Sequence, residues 1–237
     1  MSAYRSAKKI ARKTLNAMDS VYLSAIRYID GVFGERLRYR YYSRRLRHLG
    51  PGARIDTGVF IYGCRYVSIG DGTHIDKGCI IIGAPKDIDL SSRAVRYRRL
   101  AVDAIQAGEV RIGKNCHIAQ NCMIFGYGGV LIGDYCAMST GAKIYSLTSL
   151  EYNPDDPSQV VSILPFDGVS PTLVGKVAME DNSWIGIDVV VFPGVRIGPD
   201  SFVRSRSMVM SSFGGNSYIA GDPAVRVRER FARKEGR

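Results

Sequence analysis

The stretch MEDNSWIGIDVVVFPGVRIGPDSFVRSRSMVMSSFG, residues 179–214, reads in sixes. Its blocks open on Met179, Ile185, Val191, Ile197, Val203 and Val209, all apolar. The fifth position of each block is small in Ser183, Val189, Val195, Ser201 and Ser207, with Phe213 the exception. A helix repeats at 3.6 residues and a flat strand at 2, so neither produces this spacing. A chain that turns a corner every six residues and stacks parallel coils does, with three blocks to one triangular turn.

Working outward from that block, the apolar openings fall into triplets: Leu49, Ile55, Ile61; Ile69, Ile75, Ile81; Ile112, Ile118, Ile124; Ile132, Met138, Ile144. Every break in the count follows the third member of a triplet. Insertions therefore leave from a single corner, and the two long ones, at about 83–108 and 146–175, emerge about 10 Å apart if coils stack at the β-strand spacing. They are placed to wall one cleft. The first contains SSRAVRYRRLAVDAIQ, read as a basic segment with a short helix. The second contains SLEYNPDDPSQ, rich in turn formers, read as an ordered loop.

The predicted fold is an all-β solenoid of about six triangular coils over residues 49–214. A basic amphipathic helical extension (1–48) precedes it, and a C-terminal cap with a charged helical tail (215–237) follows. Within the extension, Met18, Tyr22, Ala25, Ile29 and Phe33 recur at helical spacing, with Gly31 and Gly34 as interruptions. The next stretch, ERLRYRYYSRRLRHLG, reads as a solvated helix face, or as a surface for the phosphates of a lipid-linked or nucleotide-linked substrate.

The chain has 237 residues, 46% of them apolar, and a formal charge of +11. Residues 1–50 hold twelve Lys or Arg against Asp19, Asp30 and Glu35, a net +9. Packing on the body or on a partner subunit is one use of that extension, and peripheral contact with anionic lipid is another. No nucleic-acid motif accompanies the charge, so nucleic acid is not an expected partner. No apolar run approaches the roughly 20 residues of a membrane span, and no signal-type apolar core follows the basic start. The expected location is cytoplasmic, with the inner face of the membrane as a peripheral station.

The five cysteines include no CxxC pair. Cys79, Cys116, Cys122 and Cys136 fall at the small fifth position, which makes them compact core residues rather than a disulfide framework or zinc ribbon. The three histidines, His48, His74 and His117, are scattered in sequence, and no metal site is expected.

The blocks IGDGTH, IGKNCH, IGDYCA and IGPDSF, with NSWIGIDVVVFPGVRIG and the closing AGDPA, resemble the hexapeptide-repeat acyltransferases with a left-handed parallel β-helix. AKIYSLTSLEYNPDDPS is similar to members that modify sugars of bacterial surface polysaccharides. The resemblance implies a homotrimer with active sites between neighbouring β-helices. It implies acetyl-CoA as co-substrate, and a sugar hydroxyl or amine as acceptor on a glycan or its nucleotide- or lipid-linked precursor. Trp184, Ile187 and Ser205 match cofactor positions. Met210-Ser211 stands where the family has Thr-Lys, and Val225 where a basic residue is common, so Arg226 and Arg228 are expected to meet the cofactor phosphates, with Ser211 beside them.

The family's general base is a His at the position of Ser149 here, and a serine hydroxyl is no base near neutral pH. The register places His74 and His117 on one outward column of adjacent coils, with Trp184 and Phe202 further along. His117 is the expected base, with His74, Ser149, Glu151 and Asp155 on the acceptor side. Ordinary surface or interface histidines are the plainer reading of that pair. The missing His also leaves open a catalytically silent scaffold or binding subunit.

Overall fold

The computed structural model describes residues 18–85, 95–98, 105–149 and 172–232. Three sheets, parallel except for the last strand of the second, form its body. The first face runs His48–Leu49, Val67–Ile69, Val110–Ile112, Val130–Ile132, Val177–Met179, Arg196–Ile197. The second runs Arg54–Ile55, His74–Ile75, His117–Ile118, Ala137–Met138, Trp184–Ile185, Phe202–Val203, then Ser217–Gly221 and Ala224–Glu229. The third runs Phe60–Tyr62, Ile80–Ile82, Met123–Phe125, Lys143–Tyr145, Val190–Val191, Met208–Val209.

The register follows the count of six. Ile55, Ile75, Ile118, Met138, Ile185 and Val203 are successive partners on the second face. All six are buried, as are the small fifth-position residues Ser183, Val189, Val195, Ser201 and Ser207. Hydroxyls in that inner column bond from rung to rung: Ser201 N donates to Ser183 Oγ at 3.2 Å, and Ser217 N to Ser201 Oγ at 3.2 Å. Cys79, Cys116, Cys122 and Cys136 are likewise buried and free.

The corners are as ordered as the strands. At the corner after the first face, Gly52, Gly72, Asn115, Tyr135, Asn182, Asp200 and Asn216 stack with positive φ. Each donates to the carbonyl just before the previous member, as in Asn115 N to Asp71 O at 2.8 Å and Tyr135 N to Lys114 O at 2.9 Å. At Gly72 two constraints meet: φ is +64°, and a Cβ would lie 2.6 Å from Asn115 Oδ1.

Two helices, α1 (18–28) and α2 (Gly31–Tyr42), close the start of the coil. The break lies at Ile29-Asp30 and takes in Gly31, whose φ is +75°, but not Gly34. Asp30 caps α2, its Oδ1 accepting from Gly31 N at 2.8 Å, and Lys77 and Thr57 also reach it. These contacts hold the Asp30 carboxyl below the usual range, chiefly the backbone bond from Gly31. Gly34 sits inside α2, where a Cβ would collide with Ile29 O at 1.8 Å.

The Arg/Tyr-rich stretch is not simply a solvated face, because Arg38, Tyr41 and Tyr42 are buried. Arg38 holds the helices to the coil: Nε donates to Ile55 O at 2.8 Å, and Nη1 to Ile26 O at 3.0 Å and Ile29 O at 2.6 Å. Burial pushes the Tyr42 hydroxyl up to about 12.

The excursions meet each other. Leu147–Ser149 pairs antiparallel with Thr172–Val174, which pairs parallel with Val95–Tyr97. The first excursion thus contributes a strand, Val95–Tyr97, within the segment expected to hold a short helix; residues 86–94 and 99–104 lie outside the described residues. Arg98 continues across the coil, packs over Gly194, and donates from Nη1 to Met210 O at 2.6 Å. At the far end, Ala224–Glu229 folds back as a strand on Ser217–Gly221; residues 233–237, on which the expected helical tail also falls, lie outside the described set. Backbone pairing with the last open strand satisfies donors that a helix would leave exposed.

Replacing Arg38 by Met keeps the bulk but orphans three carbonyls. Each buried acceptor left unpaired costs about 1–3 kcal/mol, so R38M is expected to lose about 3 kcal/mol or more in urea denaturation.

Candidate active site

The second face presents one outward column. In rung order it reads Arg54, His74, His117, Ala137, Trp184, Phe202, Tyr218, each the strand partner of the next. Arg228, on the returning strand opposite Tyr218, lays its guanidinium 4.3 Å from the Tyr218 ring centroid. Trp184 stands edge-on to Phe202 at 5.3 Å and donates from Nε1 to Ser139 Oγ at 2.8 Å. It remains 46% exposed, a flat apolar surface open to a ligand.

His74 and His117 stack with ring centroids 5.7 Å apart and planes within 25°. The carboxylate of Asp76 lies between their ring nitrogens: Oδ2 is 3.0 Å from His117 Nε2, and Oδ1 is 3.3 Å from His74 Nε2. Gln120 Nε2 donates to the same Oδ2 at 2.7 Å, and its Oε1 accepts from Thr140 Oγ1 at 3.1 Å. The carboxylate is only 8% exposed, whereas the His117 side chain is 56% exposed. A buried acid therefore holds an accessible imidazole. With Nε2–H directed at Asp76, the lone pair of His117 is on Nδ1, a tautomer assigned from the hydrogen bond.

The histidines are scattered in sequence but not in space. Donor atoms of His74, Asp76 and His117 lie within 4.8 Å of one another, the residues among those described that could gather round a metal ion. His117 and Gln120 both hydrogen-bond the Asp76 carboxylate, which stands 3.3 Å from His74 Nε2. His48 stands apart on the first face, 4.0 Å from Asp71.

Ile187 and Ser205 follow the second face on successive rungs and contact each other, Ile187 N donating to Ser205 Oγ at 3.0 Å. That amide is already engaged. Ser211 lies past the third face, at a different corner from Trp184 and Arg228. Arg226 is exposed, 3.9 Å from Glu229, and Arg228 Nη1 donates to Glu229 O at 2.9 Å. Ser149 is exposed at the end of the excursion strand. Glu151 and Asp155 lie outside the described residues.

Asp76 and Gln120 are the members of the site that the sequence pattern does not single out. A signal for Asp76 is nonetheless present: residues i and i+2 of a strand share a face, so the acid two places after His74 belongs to the same column.

With this geometry in place, comparison with known proteins identifies the repeat. Residues 109–146 match the family described as the hexapeptide repeat of succinyl-transferase. That stretch carries a hexapeptide repeat. Chloramphenicol acetyltransferase of Escherichia coli is 25% identical to it over 118 residues, 45% of this chain and 54% of that protein. The chain spans about half the length of the first curated relatives it matches. The dTDP-4-amino-4,6-dideoxy-D-glucose acyltransferase of Escherichia coli is 27% identical over 191 residues, 78% of this chain and 82% of that one. Among solved structures, AntD, an N-acyltransferase from Bacillus cereus in complex with dTDP and 3-hydroxybutyryl-CoA, superposes with a TM-score of 0.61 at 20% identity. It covers 82% of this chain and 88% of its own, a likeness of fold.

Removing the carboxylate leaves Gln120 and both imidazoles without their shared acceptor. D76A is expected to cost about 1–3 kcal/mol, and D76N less, in equilibrium unfolding; wild-type stability in D76A would show that the carboxylate does not hold the pair.

Proposed function

We propose that the chain is an acyl-CoA-dependent acyltransferase carrying acetyl to a sugar hydroxyl or amine of a surface polysaccharide, or of its nucleotide- or lipid-linked precursor. The observation that carries this reading is His117, held by Asp76 on the column that continues to Trp184 and Arg228. The named acyltransferases among its relatives support the same chemistry.

In this mechanism Trp184 and Arg228 receive acetyl-CoA, the ring against its apolar arm and the guanidinium against its phosphates. Arg226, Ser205 and the Ile187 backbone border the same end, and Ser211, at another corner, reaches it from a neighbouring subunit. The thioester then points toward His117, with the acceptor beside His74; Ser149, Glu151 and Asp155 reach it from a neighbouring subunit's second excursion and orient it. His117 Nδ1 takes the proton from the acceptor as its oxygen or nitrogen attacks the thioester carbon. The carbon–sulfur bond breaks as the tetrahedral intermediate collapses, and the proton passes from Nδ1 to the departing sulfur, giving CoA thiol and the acetylated sugar. Asp76 stabilises the imidazolium formed in between. This places the base on the opposite side of the coil from Ser149, so a serine at that position does not silence the enzyme.

The proposed assembly is a homotrimer of left-handed coils, about six turns each, with each site completed by a neighbouring subunit's loops. No described helix is long and apolar enough to cross a membrane. Exposed Val21, Tyr28, Val32 and Phe33 on the basic N-terminal helices suit a peripheral contact with anionic lipid from the cytoplasmic side.

Acetyl-CoA turnover, followed by thiol release with a panel of hexose and aminosugar acceptors, tests the assignment. H117A is expected to lower kcat by about 10²–10⁴-fold with little change in the KM for acetyl-CoA. A fully active H117A would remove His117 from the chemistry.

A further inference from the structure

Between α2 and the first rung lies an open cavity of about 620 Å³, lined by Val32, Glu35, Arg36, Tyr39, Arg40 and the turn Gly52–Arg54. Its charges are unevenly matched. Arg54 is taken up by Glu35, with Nε donating to Oε1 at 2.6 Å and Nη2 to Oε2 at 3.4 Å. Arg36 and Arg40 have no ion-pair partner among the described residues. They stand at i and i+4 on α2, where like charges oppose helix formation and an anion between them reverses the penalty.

Arg54, in the cavity wall, is the strand partner of His74, which is the partner of His117. Two strand spacings, about 10 Å, separate the wall from the base. We propose that this cavity is the subsite for the diphosphate of the acceptor, so that the substrate is a sugar diphosphate whose anionic linkage sits on Arg36 and Arg40 while the sugar reaches along the column past His74 to His117. The proposal rests on the acyltransferase reading for the sugar's fate, but not for the anion. Guanidinium groups one turn apart can each give two parallel N–H donors to phosphate oxygens, a geometry lysine does not reproduce. Nucleotide and lipid carriers share this diphosphate.

Titration calorimetry of the full chain with dTDP, geranyl diphosphate and acetyl-CoA tests it, on wild type, R36A/R40A and R36K/R40K, with circular dichroism confirming each fold. The expected result is diphosphate binding that weakens about tenfold or more in R36A/R40A, with partial recovery in R36K/R40K and acetyl-CoA affinity unchanged. Tighter dTDP identifies a nucleotide carrier, tighter geranyl diphosphate a lipid one, and either supports the subsite. Diphosphate affinity equal in wild type and R36A/R40A, or absent while acetyl-CoA binds, overturns it. Should the protein bind diphosphate through these arginines yet transfer no acetyl group, the subsite stands and the acyltransferase reading falls.

Discussion

Each rung of this coil is hydrogen-bonded to the next at matching sequence positions, and the corners obey the same rule as the strands. Asn115 bonds to the preceding corner as Ile118 bonds to the preceding strand. Because turns and strands are both in register, one residue per rung lands in each vertical column, inside or out. The inner columns become a stack of branched apolar side chains beside a stack of small ones. An outer column turns a series of residues far apart in sequence into neighbours about one strand spacing apart.

The proposed site is a product of that column logic. His74 and His117 are 43 positions apart in the chain and stacked in space because the first excursion is looped out between their rungs. A free imidazole on such a surface would rotate. Asp76, anchored below both rings and tied to Gln120, limits that freedom and selects the tautomer. The acid that fixes the rings is buried, and the outer edge of His117 remains open. The same column carries an arginine near one end and an aromatic surface toward the other, which gives a direction along which two substrates can be laid end to end.

Much of this fold is legible in the amino-acid sequence alone. The openings at Leu49, Ile55, Ile61 and onward stand out because an apolar residue forced inward every sixth place leaves a pattern that no neighbouring choice obscures, and the cysteines at the fifth position follow from it. Asp76 is harder to find, because residue type picks out the histidines while the acid that organises them looks like one more polar corner residue. Arg38 escapes for a related reason: nothing local distinguishes it from Arg36 or Arg40, and only the docking angle of α2 sends it toward the carbonyls of Ile26, Ile29 and Ile55. The strand Val95–Tyr97 is three residues long and its pairing with Thr172–Val174 is non-local, so no periodicity announces it.

That last pairing has a mechanical consequence. A solenoid whose rungs touch only adjacent rungs behaves as a one-dimensional chain, free to fray from its end one turn at a time. Here the first excursion leaves after Ile82, joins the sheet made by the second excursion, and is fastened by Arg98 to the carbonyl of Met210, beside the last strand of the third face. The excursions act as a lengthwise tie on the outside of the stack. Loss of the terminal turn must then release a contact rooted several turns away, which couples the ends of the coil and makes its opening more nearly all-or-none.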